Sequence, residues 1–257
     1  MIHSLQYSKK GDFVMIQTLQ EFIEEFKRIK HKGWIKTHRK GNTGIGKTLE
    51  DELGIAENNE HAPDFGEYEL KSKRQSDTSM LTLFTKSPCP PKANAYILNK
   101  YGYLNEDNND LELHTTLWAS RFTSLQRNNK KLKIKYDKER IWIASDTDDE
   151  RNNVYWNIDD LIRSFEQKYK GKFVYAYAQS KGHGAEEEFL YDEAFEVSGF
   201  DANDFLNLLK SGDICIDFRL GHYHSGPNIG KVHDHGTAFR IKGNSEHKLF
   251  KLKRKIV

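Results

Sequence analysis

The chain has 257 residues, of which 37% are hydrophobic and 30% charged, with a formal net charge of +2. That length suits one large domain or two lobes of roughly 100–150 residues each, and the near-neutral balance excludes a generally basic protein. No apolar run can span a membrane, and the only cysteines, Cys89 and Cys215, are too few for a disulfide framework, so the expected compartment is the cytoplasm, with no membrane partner.

Met1 to Val14 lacks the apolar core of a signal peptide. Met15 directly precedes the first good helix, so the first fourteen residues are expected to be a dispensable extension. Thr18-Leu19-Gln20-Glu21 is a capping box. Leu19, Phe22, Ile23, Phe26 and Ile29 then recur at helical spacing, and Gly33 is the expected stop. Seven basic residues from Lys27 to Lys40, with no acid among them, and a second cluster from Lys248 to Lys255 are local basic patches on a balanced chain. Such patches fit a DNA-binding cleft, with ordinary solvated surface as the plain alternative.

Gly41 to Thr48 reads G-N-T-G-I-G-K-T, which matches the P-loop pattern in full. A P-loop must leave a buried apolar strand so that its amides can cradle phosphates. The approach here, Lys36 to Lys40, is polar and basic. Nucleotide hydrolysis stays an alternative, and a glycine-bearing loop entering a helix can equally meet a DNA phosphate. The helix itself is expected from Gly44 to Leu53, ended by Gly54, and it carries Glu50.

Pro63-Asp64 and Glu69-Leu70-Lys71 then spell P-D-x4-E-x-K. On a strand from Tyr68 to Lys73, Glu69 and Lys71 point to one face. A short connection can bring Asp64 beside Glu69. Two converging carboxylates suit a hard divalent cation such as magnesium, and a neighbouring lysine can position or deprotonate a water, which are the parts needed to hydrolyse a phosphodiester. Asp64 and Glu69 are the candidate metal ligands, Lys71 is the catalytic lysine, and Glu50 is the candidate support from the helix. The alternative is a surface strand with alternating charges.

Further strands are expected over Met80–Thr85 and Leu113–Ala119, with a rigid loop at Ser87–Pro91. A hairpin follows from Lys131–Tyr136 and Arg140–Ala144. Helices are expected over Ile158–Tyr169 and Asp201–Leu209, and strands over Phe173–Ala178, Ile214–Leu220 and Gly236–Ile241. The order is mixed α and β without regular alternation. The polar stretch from Asp146 is the candidate boundary: residues 1–145 as a catalytic lobe, 146–257 as a recognition lobe, with the basic tail a candidate to return to the first.

His222-Tyr223-His224 and His233-Asp234-His235 lie close in sequence, preceded by Asp217 and Arg219 and followed by Arg240. His and Arg can donate to guanine O6 and N7, and Asp217 can orient an arginine or accept from cytosine N4. Lys231 joins them as a DNA-binding candidate. His-x-His pairs also make zinc conceivable, with Cys215 the only thiol nearby. A hydrogen-bonded surface is the third reading, and a zinc-stabilised DNA-binding module is the non-enzyme rival.

The block from Lys40 through Arg74, with its E-D-E-L-G and P-D-F-G-E-Y-E-L-K, resembles the MvaI/BcnI restriction endonucleases and the mismatch-repair nickase MutH, and sits nearest the MvaI branch. His233 to Arg240, H-D-H-G-T-A-F-R, looks like the DNA-reading segment of those restriction enzymes. The resemblance implies a mixed α/β fold with a PD-(D/E)xK restriction-endonuclease-like core and a second DNA-recognition lobe. It places Glu50, Asp64, Glu69 and Lys71 at the catalytic positions. It implies a type II restriction endonuclease of a bacterial restriction-modification system: a magnesium-dependent monomer that nicks double-stranded DNA one strand at a time, at a near-symmetric CC-W-GG site.

Overall fold

The structure, a computed structural model, describes residues 16–55, 63–75, 80–125 and 129–257; the expected N-terminal extension lies outside them. In chain order the elements are α1 (Leu19–Lys32), β1 (Ile35–Lys36), α2 (Gly44–Leu53), β2 (Tyr68–Arg74), β3 (Leu81–Thr85), α3 (Ala93–Tyr101), β4 (Tyr103–Leu104) and β5 (Leu111–Leu117). Then come β6 (Thr123–Ser124), β7 (Lys131–Tyr136), β8 (Arg140–Ser145), β9 (Tyr155–Asn157), α4 (Ile158–Lys168), β10 (Lys172–Lys181) and β11 (Glu188–Phe200). The last are α5 (Ala202–Ser211), β12 (Ile214–His222), β13 (Val232–Asp234), β14 (Ala238–Ile241) and β15 (Phe250–Lys255). The class is mixed α/β, as the sequence implies.

The chain divides into two compact units: Met1–Asp77 with Gly171–Ser198 and Leu252–Val257, and Thr78–Lys170 with Gly199–Lys251. The division does not follow a single boundary at 145–146. Residues 146–170 stay with the segment before them, and 171–198 join the first unit. The cause is strand pairing: β10 lies parallel to β2, from Lys172↔Tyr68 to Ala178↔Arg74.

In the first unit the sheet runs β1-β11-β10-β2, with β15 also on β11. Helix α1 begins with the expected capping box: Thr18 accepts from the Glu21 amide, and the Glu21 carboxylate accepts from the Thr18 amide. Its apolar stripe of Phe22, Phe26 and Ile29 is at most 2% exposed. The stripe joins Ile45 and Leu49 of α2 over Leu70, Val174, Ala176 and Tyr191 of the sheet. Each such side chain contributes about 1.5–3 kcal/mol by leaving water. The Tyr191 hydroxyl donates to Ile45 O at 2.6 Å and pins the start of α2.

Strand β11 breaks the alternation that would reveal it. Opposite it, Tyr177 pairs with Glu193 but Ala178 pairs with Tyr191, so Asp192 is an extra, bulged residue. Phe189 and Tyr191 before the bulge and Ala194 and Val197 after it are all buried, although the period of two is lost between them.

The second unit holds a sheet ordered β3-β14-β12-β5-β4, with β13 on β12, and a separate sheet β6-β7-β8-β9. Phe84, Phe165, Phe205 and Phe239 stack into one aromatic core beneath α4 and α5. The hairpin forms as expected, and Asp137 accepts from the Glu139 and Arg140 amides in its turn, each at 2.8 Å. Helix α3 carries no capping signal: Lys92 before it has φ of 71° and makes no side-chain cap.

A buried carboxylate, Glu150, is held inside this unit. Glu150 is 1% exposed and accepts from the Tyr101 and Tyr96 hydroxyls at 2.8 Å, from Asn153 at 2.9 Å and from Lys100. Burial alone would raise its carboxyl, but these donors outweigh burial and bring it from 4.5 down to about 2. A depressed carboxyl contributes stability above its unfolded value of 4.5 and loses it as pH falls toward 2. Glu150→Gln is therefore expected to destabilise the protein by on the order of 2–3 kcal/mol at pH 7. The gap from wild type should close as pH falls below the unfolded value. Urea unfolding of both proteins across pH tests this, and a gap independent of pH would refute it.

Candidate functional site

The first site is built by a turn. Phe65 and Tyr68 exchange backbone hydrogen bonds, 2.8 Å and 3.2 Å, folding the chain back onto the start of β2. Gly66 sits in this turn at φ +51°, and a Cβ there would meet Gln17 O at 2.3 Å. The fold-back lays Asp64 over the strand, where its Oδ2 accepts from the Leu70 amide at 2.7 Å. Leu70 itself is 6% exposed in the core, so Glu69 and Lys71 turn to the opposite face. There Lys71 Nζ donates to Glu69 Oε1 at 2.6 Å, with the two side chains 31% and 22% exposed. The strand thus pairs Glu69 with Lys71 on one face and fastens Asp64 to the backbone of the residue between them. Glu50 lies on α2, which packs against β2. Its Oε1 comes within 3.8 Å of where a Cβ on Gly46 would be, so it lies back along its own helix.

A hard cation fits this donor set. Magnesium is usually held by one or two carboxylates, with waters and substrate phosphate completing its shell. Asp64 and Glu69 supply such oxygens. No group of three His, Cys, Asp or Glu side chains converges as a ready metal cage among the described residues.

The P-loop alternative is overturned. The strand ahead of Gly41 is the two-residue β1, paired to β11 at the sheet's edge. A loop of seven residues, 37–43, separates it from α2. Thr48, which would have to reach a cation, is fully buried, and its hydroxyl accepts from the His38 amide at 2.9 Å. Lys47 is paired with Asp51 at 2.8 Å. At Gly44 a Cβ would meet Arg39 O at 2.2 Å, so this glycine serves a close approach of the loop to itself rather than a phosphate. Much of the nearby basic run is also engaged: Arg28 with Glu25, Lys32 with Glu52 and Lys36 with Glu186.

The second site lies on one face of the β12 sheet. Ile214, Ile216, Phe218 and Leu220 are all 0% exposed, which turns Cys215, Asp217 and Arg219 to the other face. The Asp217 side chain is 6% exposed. Its Oδ2 accepts from Arg219 Nε at 3.1 Å and Arg240 Nη1 at 2.9 Å, and its Oδ1 from Thr116 at 2.7 Å. Asp217 therefore buttresses both arginines. Arg219 is 55% exposed and Arg240 only 21%. Arg240 Nη2 also donates to Met80 O at 3.0 Å. Its Nε is buried with no hydrogen-bond partner among the described residues.

The histidines are engaged with other partners than a metal. His222 Nδ1 lies 2.8 Å from Asp110, and His224 Nε2 lies 3.7 Å from the same carboxylate. The His233 ring is layered between Tyr223 and His235, at centroid distances of 3.9 Å and 3.8 Å. The Cys215 thiol points inward to Arg240 O and Met80, and burial pushes it up to about 12. The zinc alternative finds no group of three His, Cys, Asp or Glu side chains placed to hold it among the described residues. Lys231, exposed, bonds Asn228 Oδ1 at 3.1 Å in the loop joining β12 to β13.

Some residues of this face escape sequence reading. Asp110 and Thr116 come from a distant segment, and Asp234 lies between two named histidines without being singled out. Asp234 holds the turn after β13 by accepting from Gly236 N and Thr237 Oγ1, and it also accepts from Asn94. His114 lies directly across from Arg219. His114, Thr116, Arg121 and Phe122 line a cavity of about 430 Å³ together with Asp217 and Arg219. The alternation of Leu113, His114, Thr115, Thr116 and Leu117 was the available signal for β5's polar face.

No curated protein matches the chain. Similar solved structures include two of restriction endonuclease MvaI. One, a complex of restriction endonuclease MvaI with its cognate DNA substrate, has a TM-score of 0.79 at 36% identity, over 93% of this chain and 98% of that one. The other, MvaI in the absence of DNA, has a TM-score of 0.59 at 33% identity, over 98% and 100%. The family model of the MvaI/BcnI restriction endonucleases matches residues 23–250. The chain belongs to the MvaI/BcnI restriction endonuclease family and is a type II, site-specific deoxyribonuclease.

Proposed function

We propose that this endonuclease hydrolyses double-stranded DNA with magnesium at a short, near-symmetric site of the form CCWGG, as a monomer that nicks one strand at a time. The observation that carries the chemistry is the Asp64–Glu69–Lys71 arrangement on β2, with Asp64 fixed on the Leu70 amide at 2.7 Å. A structure similar to this chain is that of an enzyme with its cognate DNA substrate, which supports duplex DNA as partner.

Asp64 and Glu69 are the residues that would hold magnesium. When bound, the ion would supply charge neutralisation at the scissile phosphate and a more acidic water. Lys71, tethered to Glu69 at 2.6 Å, points its ammonium to the same face. There it orients the attacking water and offsets negative charge that grows in the transition state. Glu50 is assigned the support of a ligand water or of Lys71. Asp64→Ala, Glu69→Ala and Lys71→Ala are each expected to lower cleavage on the order of a thousandfold or more while leaving DNA binding largely intact. Substantial cleavage by Asp64→Ala, or undiminished cleavage in excess chelator, would overturn the assignment.

Base reading is assigned to the second unit. Arg219, held by Asp217, turns its terminal nitrogens outward, and each terminal nitrogen of Arg240 keeps a second N–H beyond its bonds to Asp217 and Met80. With His222, His224, Lys231, His233 and His235 they form a donor-rich surface suited to guanine edges, and Asp217 orients the arginines or accepts from cytosine N4. Asp217→Ala strands the partly buried Arg240 and is expected to lower stability by about 3–5 kcal/mol. Arg219→Ala, at an exposed position, should cost less than about 1 kcal/mol of stability and about 1–3 kcal/mol of discrimination at one base position. Urea unfolding and competition binding against single-substituted sites measure the two effects. Equal loss on all sequences would refute the reading role.

The chain carries one Asp64–Glu69–Lys71 set, and one set meets one scissile phosphate in a given pose. A nicked circle is expected to accumulate ahead of linear product on a supercoiled plasmid. End mapping of the product reads the recognition site. Concerted cutting by a dimer, with no nicked species, would contradict the proposal.

A further inference from the structure

The face of the first unit's sheet that carries Glu69 and Lys71 continues beyond them. Parallel register sets Tyr175 beside Lys71 and Tyr177 beside Lys73. Tyr177 meets Phe195 of β11 edge to face, with centroids 5.6 Å apart. Lys253 of β15 then holds its Nζ 4.1 Å from the Phe195 centroid and 5.4 Å from that of Tyr177. Its neighbours in the tail are neutralised: Arg254 by Glu196 at 2.6 Å and Lys255 by Glu193 at 2.5 Å. Lys253 is exposed and rests on rings, with no carboxylate paired to it among the described residues. An ammonium held over two aromatic rings is preorganised and keeps its full charge for an outside anion.

We propose that this ridge, Lys73–Tyr177–Phe195–Lys253, is a phosphate-binding track for the duplex flanking the cleavage site, with Lys253 as its outer contact. The proposal rests on the catalytic reading of Glu69 and Lys71. Three strand spacings, β2 to β10 to β11 to β15, separate Lys253 from the catalytic strand, about 14 Å in all. That distance corresponds to on the order of four base-pair rises along a duplex. The contact therefore falls at or beyond the edge of a five-base-pair site. It reads charge, not sequence. The aromatic rings hold the lysine up from the sheet and need not stack on bases.

The test is binding, with calcium replacing magnesium, to duplexes bearing the mapped cleavage site and either about ten flanking base pairs or a flank trimmed flush with the site, a span chosen against the helical rise. On the long duplex Lys253→Ala is expected to bind severalfold to about tenfold more weakly than wild type, with a salt slope shallower by about one. Lys253→Arg should restore both. Wild type should fall to the level of Lys253→Ala on the trimmed duplex, and the order of preference among single-substituted sites should not change. Equal affinity and slope for wild type and Lys253→Ala on the long duplex would overturn the track, as would a loss by Lys253→Ala of the same size on long and trimmed duplexes. Failure of the catalytic reading shows separately, as persistent cleavage by Asp64→Ala.

Discussion

The parallel pairing of β2 with β10 is the constraint on which the rest of the molecule depends. Parallel neighbours cannot be joined by a tight turn and need a long crossover. Here the crossover is residues 75–171, most of the second unit. The pairing sets Leu70 beside Val174 in the cluster that includes the helices' apolar residues, which buries one face of β2. The other face is thereby fixed for Glu69 and Lys71. A slip of one residue would exchange the two faces and send the glutamate and lysine into the core. The candidate catalytic pair is thus held by apolar burial on the opposite side of the same strand.

A second principle recurs in the two units: a carboxylate organises its neighbours before any substrate arrives. Asp64 is fastened to the Leu70 amide. Asp217 gathers Arg219, Arg240 and Thr116. Glu150 gathers two tyrosines, an asparagine and a lysine. Asp217 and Glu150 are each satisfied by several donors, which is what makes their burial tolerable. For Asp217 the result is preorganisation: an arginine already held by its Nε has less freedom left to lose on meeting any ligand.

The glycine-rich segment before α2 shows how one motif can serve a different physical end. Gly41 to Thr48 carries every residue of a P-loop. In the fold its threonine hydroxyl holds the His38 amide and its lysine pairs within the helix. The motif describes residue types at a spacing. Phosphate binding needs in addition a buried strand aimed at the helix, and the edge position of β1 does not provide one.

Local patterns carried much of this protein in its sequence. The capping box and the stripe of α1, the hairpin of β7 and β8, the alternation of β12 and the P-D-x4-E-x-K spacing each depend on residues within one turn or one strand, so their physics is readable from neighbours. The elements that escaped are those whose cause lies elsewhere. Strand β11 is hidden by the bulge at Asp192, helix α3 by the absence of a cap, and β15 by a basic composition that reads as surface. The chain's division into units was decided by strand pairing across about a hundred residues. The partners of Asp217 and His222, Thr116 and Asp110, come from β5 and the turn before it. Sequence determined which side chains could do chemistry. Tertiary structure alone decided which of them meet, because sheet register brings together residues that no local spacing relates.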